Sequence, residues 1–163
     1  GGAVLLNGAL FLGRTGAAAE PGLIGVDPDG PACNSGNRGS LEQFCSIAGL
    51  ARLSPLSPQE LLQRADAGDR DAQAVWQAYG RWLGIGLSSL LYVLTPELVL
   101  IGGGLSAASA HFLPAVWQEV ERRVLWPSRE GLRITPCALG NGAGRLGAAW
   151  LARQRLSGGL QLG

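Results

Sequence analysis

The sequence predicts an α/β domain over residues 1–156, a mixed sheet flanked by helices, followed by a flexible tail at 157–163. Three features point to this class. Two apolar runs, residues 3–6 and 9–12, flank Asn7-Gly8, a pair that tolerates positive φ at both turn positions and signals a tight hairpin. A longer stretch, residues 69–94, places Val75, Tyr79, Leu83, Leu87, Leu90 and Leu94 at spacings of three and four, the helical period. Leu98, Val99, Leu100 and Ile101 then form a short apolar run that stops at Gly102-Gly103-Gly104, the pattern of a buried strand and its exit turn.

The elements follow in chain order. Both hairpin strands are uninterrupted apolar runs, which predicts a sheet covered on both faces. Residues 23–26 are a candidate third strand. Residues 27–40 hold Asp-Pro-Asp-Gly-Pro and Asn-Ser-Gly-Asn-Arg-Gly-Ser, compositions that make turns because Gly and Asn reach unusual dihedrals and Pro fixes others. Ser40 then caps a helix expected to run through Gly49. Ser57-Pro58-Gln59-Glu60 reads as a cap, a proline at the first helical position and an early acid, opening a helix to about residue 67. Pro96 ends the long helix over 69–94. A helix is expected over 112–125, strands over 132–134 and 137–139, and a last helix over 143–156.

Composition narrows the function. Hydrophobic residues make up 47% of the 163 and charged residues 15%, which marks a globular chain with a real core. The net charge is +1, every basic residue is arginine, and there is no basic block. Nucleic-acid binding by this segment thus lacks an electrostatic footprint. Cys33, Cys45 and Cys137 are odd in number and scattered, so no disulfide framework is implied and a reducing cytoplasm is expected. No apolar run is long enough for a bilayer; residues 83–94 are interrupted by Gly84, Gly86, Ser88 and Ser89. The chain opens on Gly1 and holds no methionine, which fits a segment whose start lies upstream.

Several residues are candidates for chemistry. Gly102, Gly103 and Gly104 follow a strand directly, so their backbone can approach a phosphate or ribose closely; plain turn chemistry accounts for them equally well. Gly140-Asn141-Gly142-Ala143-Gly144 reads by itself as a tight loop. Glu20 and Glu42 lie beside glycine-rich backbone, where carboxylates can accept paired sugar hydroxyls; for Glu42, an acid at a helix start is the other explanation. The loop from Cys33 to Ser40 has one thiol, and its serines lack the soft thiolate zinc prefers. His111, the sole histidine, has no acid at helical spacing and reads as an exposed or capping residue. Trp76, Trp82, Trp117, Trp126 and Trp150 fall mostly on predicted helices, as core or interface residues.

Four segments together resemble the ROK family (repressor, open reading frame, kinase). Gly16-Ala17-Ala18-Ala19-Glu20-Pro21-Gly22-Leu23 is similar to that family's Gly-Ala-Ala-Gly-Glu-x-Gly-His. Cys33-Asn34-Ser35-Gly36-Asn37-Arg38-Gly39-Ser40-Leu41-Glu42 resembles Cys-x-Cys-Gly-x-x-Gly-Cys-x-Glu at the same spacing. Residues 94–104 look like its nucleotide-side strand and turn, and 140–150 like its closing Gly-x-x-Ala-Gly-x-x-Gly-Ala-Ala segment. The order of the four is more specific than any one of them.

The resemblance implies an actin-like, ribonuclease-H-like ATPase fold of two lobes, with this chain mostly the second. ATP with Mg2+ and a hexose would meet in the cleft. Glu20 and Glu42 would contact the sugar, and Gly2, the remnant of a phosphate turn, would join Gly102, Gly103 and Gly104 on the nucleotide side. The proton-accepting aspartate would lie in the preceding segment; Asp27, Asp29, Asp66, Asp69 and Asp71 do not match it, so no catalytic residue is assigned and the chain alone is expected to be inactive. Leu23, Ser35 and Ser40 stand where the family has zinc ligands, so bound zinc is expected to be absent. A homodimer and an N-terminal lobe are the implied partners. Glucokinase-like phosphorylation is the leading expectation. A sugar-sensing domain of a ROK-type repressor, or a non-catalytic sugar-binding protein, are the alternatives.

Overall fold

The computed structural model describes residues 1–156; the expected flexible tail at 157–163 lies outside the described residues. Strand β1 (Leu5–Leu6) pairs antiparallel with β2 (Ala9–Leu10), Leu5 opposite Leu10 and Leu6 opposite Ala9. Asn7 and Gly8 adopt φ of 53° and 78°, the two positive values a two-residue hairpin turn of this kind needs. The strands are shorter than the apolar runs, and they are not covered: Leu5 is 67% exposed and Phe11 45%. The ribbon is a two-stranded sheet of its own, so it has no second layer to bury it.

The third strand is also corrected. Residues Pro21–Leu23 form one 3-10 turn, since Pro21 has a fixed φ and no N–H for a ladder. Extended pairing survives only as an isolated bridge between Gly25 and Ser40. The helix expected from Ser40 to Gly49 is broken into α1 (Leu41–Phe44) and α2 (Ile47–Leu53). Ser46 starts the second by accepting from the Gly49 N–H at 3.1 Å, a local cap that competes with helix continuation.

Helix α3 (Pro58–Asp66) opens on a complete capping box, with Ser57 Oγ accepting from Glu60 N–H and Glu60 Oε2 accepting from Ser57 N–H. Helix α4 (Arg70–Leu94) is capped by Asp69, whose carboxylate accepts from the Asp71 and Ala72 amides, and it ends at Thr95 in the left-handed region, before Pro96. Strand β3 (Leu98–Ile101) leads into a 3-10 turn over Gly104–Ala108 and helix α5 (Ser109–Arg123). After α6 (Trp126–Arg129), strand β4 (Arg133–Pro136) pairs parallel with β3, Val99 beside Ile134. Residues 137–139 make a turn rather than a strand, closed by Gly140 N–H on Cys137 O. Helix α7 (Ala143–Leu156) follows. The single mixed sheet of the expectation is thus two separate pairs, one antiparallel and one parallel, among the described residues.

The core lies between α4 and its neighbours. Trp76, Tyr79, Leu83, Leu87 and Leu91 of α4 bury against Phe112, Val116 and Val120 of α5, Leu61 and Ala65 of α3, and Leu50 of α2. Each such large apolar side chain contributes about 1.5–3 kcal/mol by leaving water. The two long helices touch backbone to backbone at glycines: a Cβ on Gly80 would stand 2.2 Å from the Phe112 carbonyl oxygen, and one on Gly84 would stand 2.8 Å from that of Val116. No helix among the described residues is long and apolar enough to cross a membrane.

One buried carboxylate tightens this helix pair. Glu119 on α5 is 8% exposed and accepts from Arg122 at 2.6 Å and Arg123 at 2.7 Å, with Arg81 of α4 at 3.5 Å. Desolvation pushes its carboxyl up, but hydrogen bonds and charge from Arg123 and Arg122 outweigh it and hold it below the usual carboxylate range. A depressed folded value means the stabilisation is full above the ordinary 4.5 and is lost as pH falls through the folded value. Glu119→Gln is therefore expected to lose about 1–3 kcal/mol at pH 7, with the gap to wild type shrinking below pH 4.5 in urea unfolding curves. A gap independent of pH down to acid unfolding contradicts this assignment.

Candidate functional site

Two corners of the fold collect the candidate residues. The first is built by the 3-10 turn Pro21–Leu23 packing on α1. Glu20 precedes that turn, exposed and without a side-chain cap bond. Its neighbour Ala19 holds φ of 61°, a left-handed conformation that costs an L-residue roughly 1–2 kcal/mol. Glu42 comes from α1. A Cβ on Gly22 would lie 3.5 Å from Glu42 Cβ and 3.7 Å from its Oε2, so glycine there lets the Glu20 turn close on Glu42. Gly2 belongs to this corner too, since a Cβ on it would overlap the Pro21 ring.

The loop over residues 27–40 backs the corner and holds its shape by turn chemistry. Val26 N–H donates to Gly39 O at 2.9 Å, Gly39 N–H to Pro31 O at 2.7 Å, and Leu41 N–H to Ile24 O at 2.9 Å. Gly39 takes φ of 55°, and a Cβ there would fall 1.6 Å from the Asp27 carbonyl oxygen, a contact no other residue can make. Within this frame the Cys33 thiol donates to Glu42 Oε1 at 3.3 Å. The Ser35 and Ser40 hydroxyls and the Ser35 amide draw that thiol below the ordinary cysteine value, against burial and Glu42, which push it up. Ser40 Oγ has no hydrogen-bond partner, although Ser40 is wholly buried.

The second corner lies at the exits of β3 and β4. Gly102, Gly103 and Gly104 are exposed, and a Cβ on any of them would meet open space. Gly103 has φ of 86° and ψ of 176°, a region essentially reserved for glycine. Its carbonyl accepts from Ser106 Oγ at 2.7 Å. The 3-10 turn Gly140–Gly142 packs against the turn Gly104–Ala108. The second glycine segment, a plain tight loop in the sequence, thus stands beside the first because the parallel pairing of β3 and β4 brings their exits together.

His111 takes no part in either corner. Its Nε2 pairs with Asp66 Oδ1 at 2.7 Å, tying α5 to α3. The acidic partner exists, but 45 residues away rather than at helical spacing. A groove of about 700 Å³ between α4 and α5 is lined by Gln73, Gln77, Arg81 and His111 among others, and by neither of the two carboxylates nor the glycine turns.

The profile of the ROK family matches residues 1–155. The chain belongs to the ROK family. Within it, the chain is similar to the glucokinase of Halalkalibacterium halodurans, 32% identical over 95% of this chain and 53% of that protein. It is also similar to the xylose repressor of Bacillus subtilis, 30% identical over 88% of this chain and 39% of the repressor. Among solved structures it resembles a ROK family glucokinase from Streptomyces griseus in complex with glucose and AMPPNP, with a TM-score of 0.83, 29% identity, and coverage of 93% of this chain and 56% of that one. The chain spans about half the length of the glucokinases it matches, and the actin-like ATPase fold of ROK sugar kinases is its fold class.

The zinc set implied by the ROK resemblance does not fit this loop. Leu23 is apolar, Ser35 and Ser40 offer neutral hydroxyls, and the one thiol, Cys33, is engaged with Glu42; a structural zinc takes four thiolate or imidazole ligands. Among the described residues no three His, Cys, Asp or Glu side chains gather as metal ligands.

Proposed function

We propose that this chain is the second lobe of an ATP-dependent hexose kinase, with the hexose at the Glu20–Glu42 corner and the nucleotide at Gly102, Gly103 and Gly104. The observation that carries it is the packing of the Glu20 turn against Glu42 through Gly22. It brings the turn that follows Glu20 against the helix that carries Glu42, in a fold similar to a glucokinase in complex with glucose and AMPPNP. Carboxylates accept two hydroxyl hydrogen bonds each, which suits a polyol. The open glycine backbone suits a phosphate or ribose. Gly2 packs against Pro21, and in this reading it is part of the phosphate turn on the nucleotide side.

Phosphoryl transfer needs chiefly positioning and charge stabilisation. The sugar hydroxyl oxygen attacks the γ-phosphorus, the bond to the β–γ bridging oxygen breaks, and the hydroxyl proton passes to an aspartate of the preceding segment. Mg2+ bound with ATP would neutralise charge on the phosphates. Glu20 and Glu42 hold the sugar, and the glycine turns hold the nucleotide. The bare apolar hairpin, with Leu5 and Phe11 exposed, fits a surface that the first lobe covers, and a second copy of the protein completes a homodimer.

The test is hexose-dependent ADP release, followed in a coupled assay with glucose and related hexoses. The full-length protein is expected to turn over, and this chain alone to fall at least about 10²–10⁴-fold short, the usual effect of a missing acid–base group. Ordinary kinase rates from the chain alone would show the active site to be misplaced. A second reading, the sugar-sensing part of a repressor, draws on the similarity to the xylose repressor; sugar-sensitive operator binding without ADP release by the full-length protein would select it.

A further inference from the structure

We infer that Cys33 is a positioning residue for sugar recognition: its thiol holds Oε1 of Glu42 and so leaves Oε2 aimed across Gly22 at the hexose. This rests on the proposed hexose site above. The contact joins the start of the 27–40 loop to α1, with Cys33 Sγ 3.3 Å from Glu42 Oε1. The other carboxylate oxygen lies on the Gly22 side, 3.7 Å from where a Cβ of that residue would be. The two oxygens of one carboxylate therefore have different tasks, one held by the protein and one presented at the rim.

The donor is itself held. Cys33 is 8% exposed. Its N–H donates to Asn37 O at 2.9 Å, and its carbonyl accepts from Gly36 N–H at 3.0 Å, so the backbone beneath the sulfur is locked on both sides. In the same loop the Ser40 hydroxyl is wholly buried and has no hydrogen-bond partner. A buried hydroxyl left unpaired is unfavourable. Glu42 needs a partner such as the Cys33 thiol. It sits on a helix of four residues, half-buried, and a glutamate has three rotatable bonds to restrict before it can meet a ligand in one pose. Fixing them in advance raises affinity without any new contact to the ligand. The thiol is a weak donor, so the effect is modest but measurable.

The experiment is calorimetric titration of D-glucose, and separately of an ATP analogue, into the full-length protein and its Cys33→Ala, Cys33→Ser, Glu42→Gln and Cys33→Ala/Glu42→Gln variants. Cys33→Ala is expected to weaken glucose about three- to ten-fold, the range of one neutral hydrogen bond, and to leave the nucleotide unchanged. Cys33→Ser, which keeps a donor, recovers most of that loss. In the Glu42→Gln background Cys33→Ala adds little, because the carboxylate it acts through is gone. The 13C carboxyl resonance of Glu42 is expected to move in Cys33→Ala more than in Cys33→Ser. Wild-type glucose affinity in Cys33→Ala, with Glu42→Gln still weakened, overturns the positioning role and leaves the hexose site standing. Fully additive losses overturn it too, since Cys33 would then act on the loop at large. Unweakened glucose binding in Glu42→Gln, or none in wild type, removes the hexose site and this inference together.

Discussion

Gly80→Ala is expected to destabilise the protein, and Gly80→Leu to cost it at least about 3 kcal/mol, the upper part of the overpacking range. Two effects compete at this position. Alanine in a helix interior gains roughly 1 kcal/mol over glycine from backbone entropy. Against that, the new Cβ would stand 2.2 Å from the Phe112 carbonyl oxygen and 3.1 Å from Ala115 Cβ. The first neighbour is helix backbone, which cannot rotate aside like a side-chain tip. Relief requires α4 and α5 to separate, and separation opens the packing of Trp76 and Tyr79 on Phe112, whose rings lie 6.3 Å and 5.1 Å apart. Sterics therefore win over propensity. Urea unfolding curves of wild type, Gly80→Ala and Gly80→Leu give the comparison. Gly104→Ala, where a Cβ meets open space, serves as the control and is expected to stay within about 0.5 kcal/mol of wild type. Equal or greater stability of Gly80→Ala would mean that the helices do not meet at this distance.

Glu42→Gln and Glu20→Gln are each expected to weaken hexose binding by the full-length protein on the order of ten-fold or more, with ATP affinity retained. A hydrogen bond to a charged group contributes roughly 1.5–3 kcal/mol, and each 1.4 kcal/mol is about ten-fold in affinity. Gly103→Val is expected to do the reverse. Its φ of 86° is closed to a β-branched residue, and the added side chain would fill the open face of the glycine turn. The competing account for Glu42 is its place in the first turn of α1. An acid there interacts favourably with the helix N-terminus, and its loss would then lower stability slightly and leave sugar affinity alone. Titrating sugar and nucleotide separately into the three variants separates these accounts. Unchanged sugar affinity in both glutamine variants would leave the two carboxylates without a role in recognition.

The parts of this fold legible in the sequence are those whose causes are close in the chain. The Ser57-Pro58-Gln59-Glu60 cap forms as expected because donor and acceptor are three residues apart. Asn7 and Gly8 turn the hairpin because two adjacent residues tolerate positive φ. The apolar spacing along 69–94 reports one face of one helix, and the helix runs Arg70–Leu94. Failures begin where a local signal has a close rival. Apolar residues 23–26 look like a strand, but Pro21 and the bridge from Gly25 to Ser40 leave only a 3-10 turn and a single extended contact. Ser40 looks like a cap for ten residues of helix, yet Ser46 takes the Gly49 amide for itself.

By itself the sequence determined the family and the fold class, because ordered motifs at fixed spacings survive as strings of residues. It also shows Leu23, Ser35 and Ser40, poor zinc ligands by their side-chain chemistry, at positions where the ROK resemblance implies ligands. Only the tertiary structure decided who meets whom. Spacing does not tell that Asp66 reaches His111, that a glycine turn at 140 packs on one at 104, or that Gly80 faces a carbonyl of Phe112. Nor does it tell that Cys33, read as a lone thiol, donates to Glu42. Each of these contacts depends on where whole helices and strands come to rest, and that is set by the shared burial of the α4–α5 core rather than by either partner's neighbours in the chain.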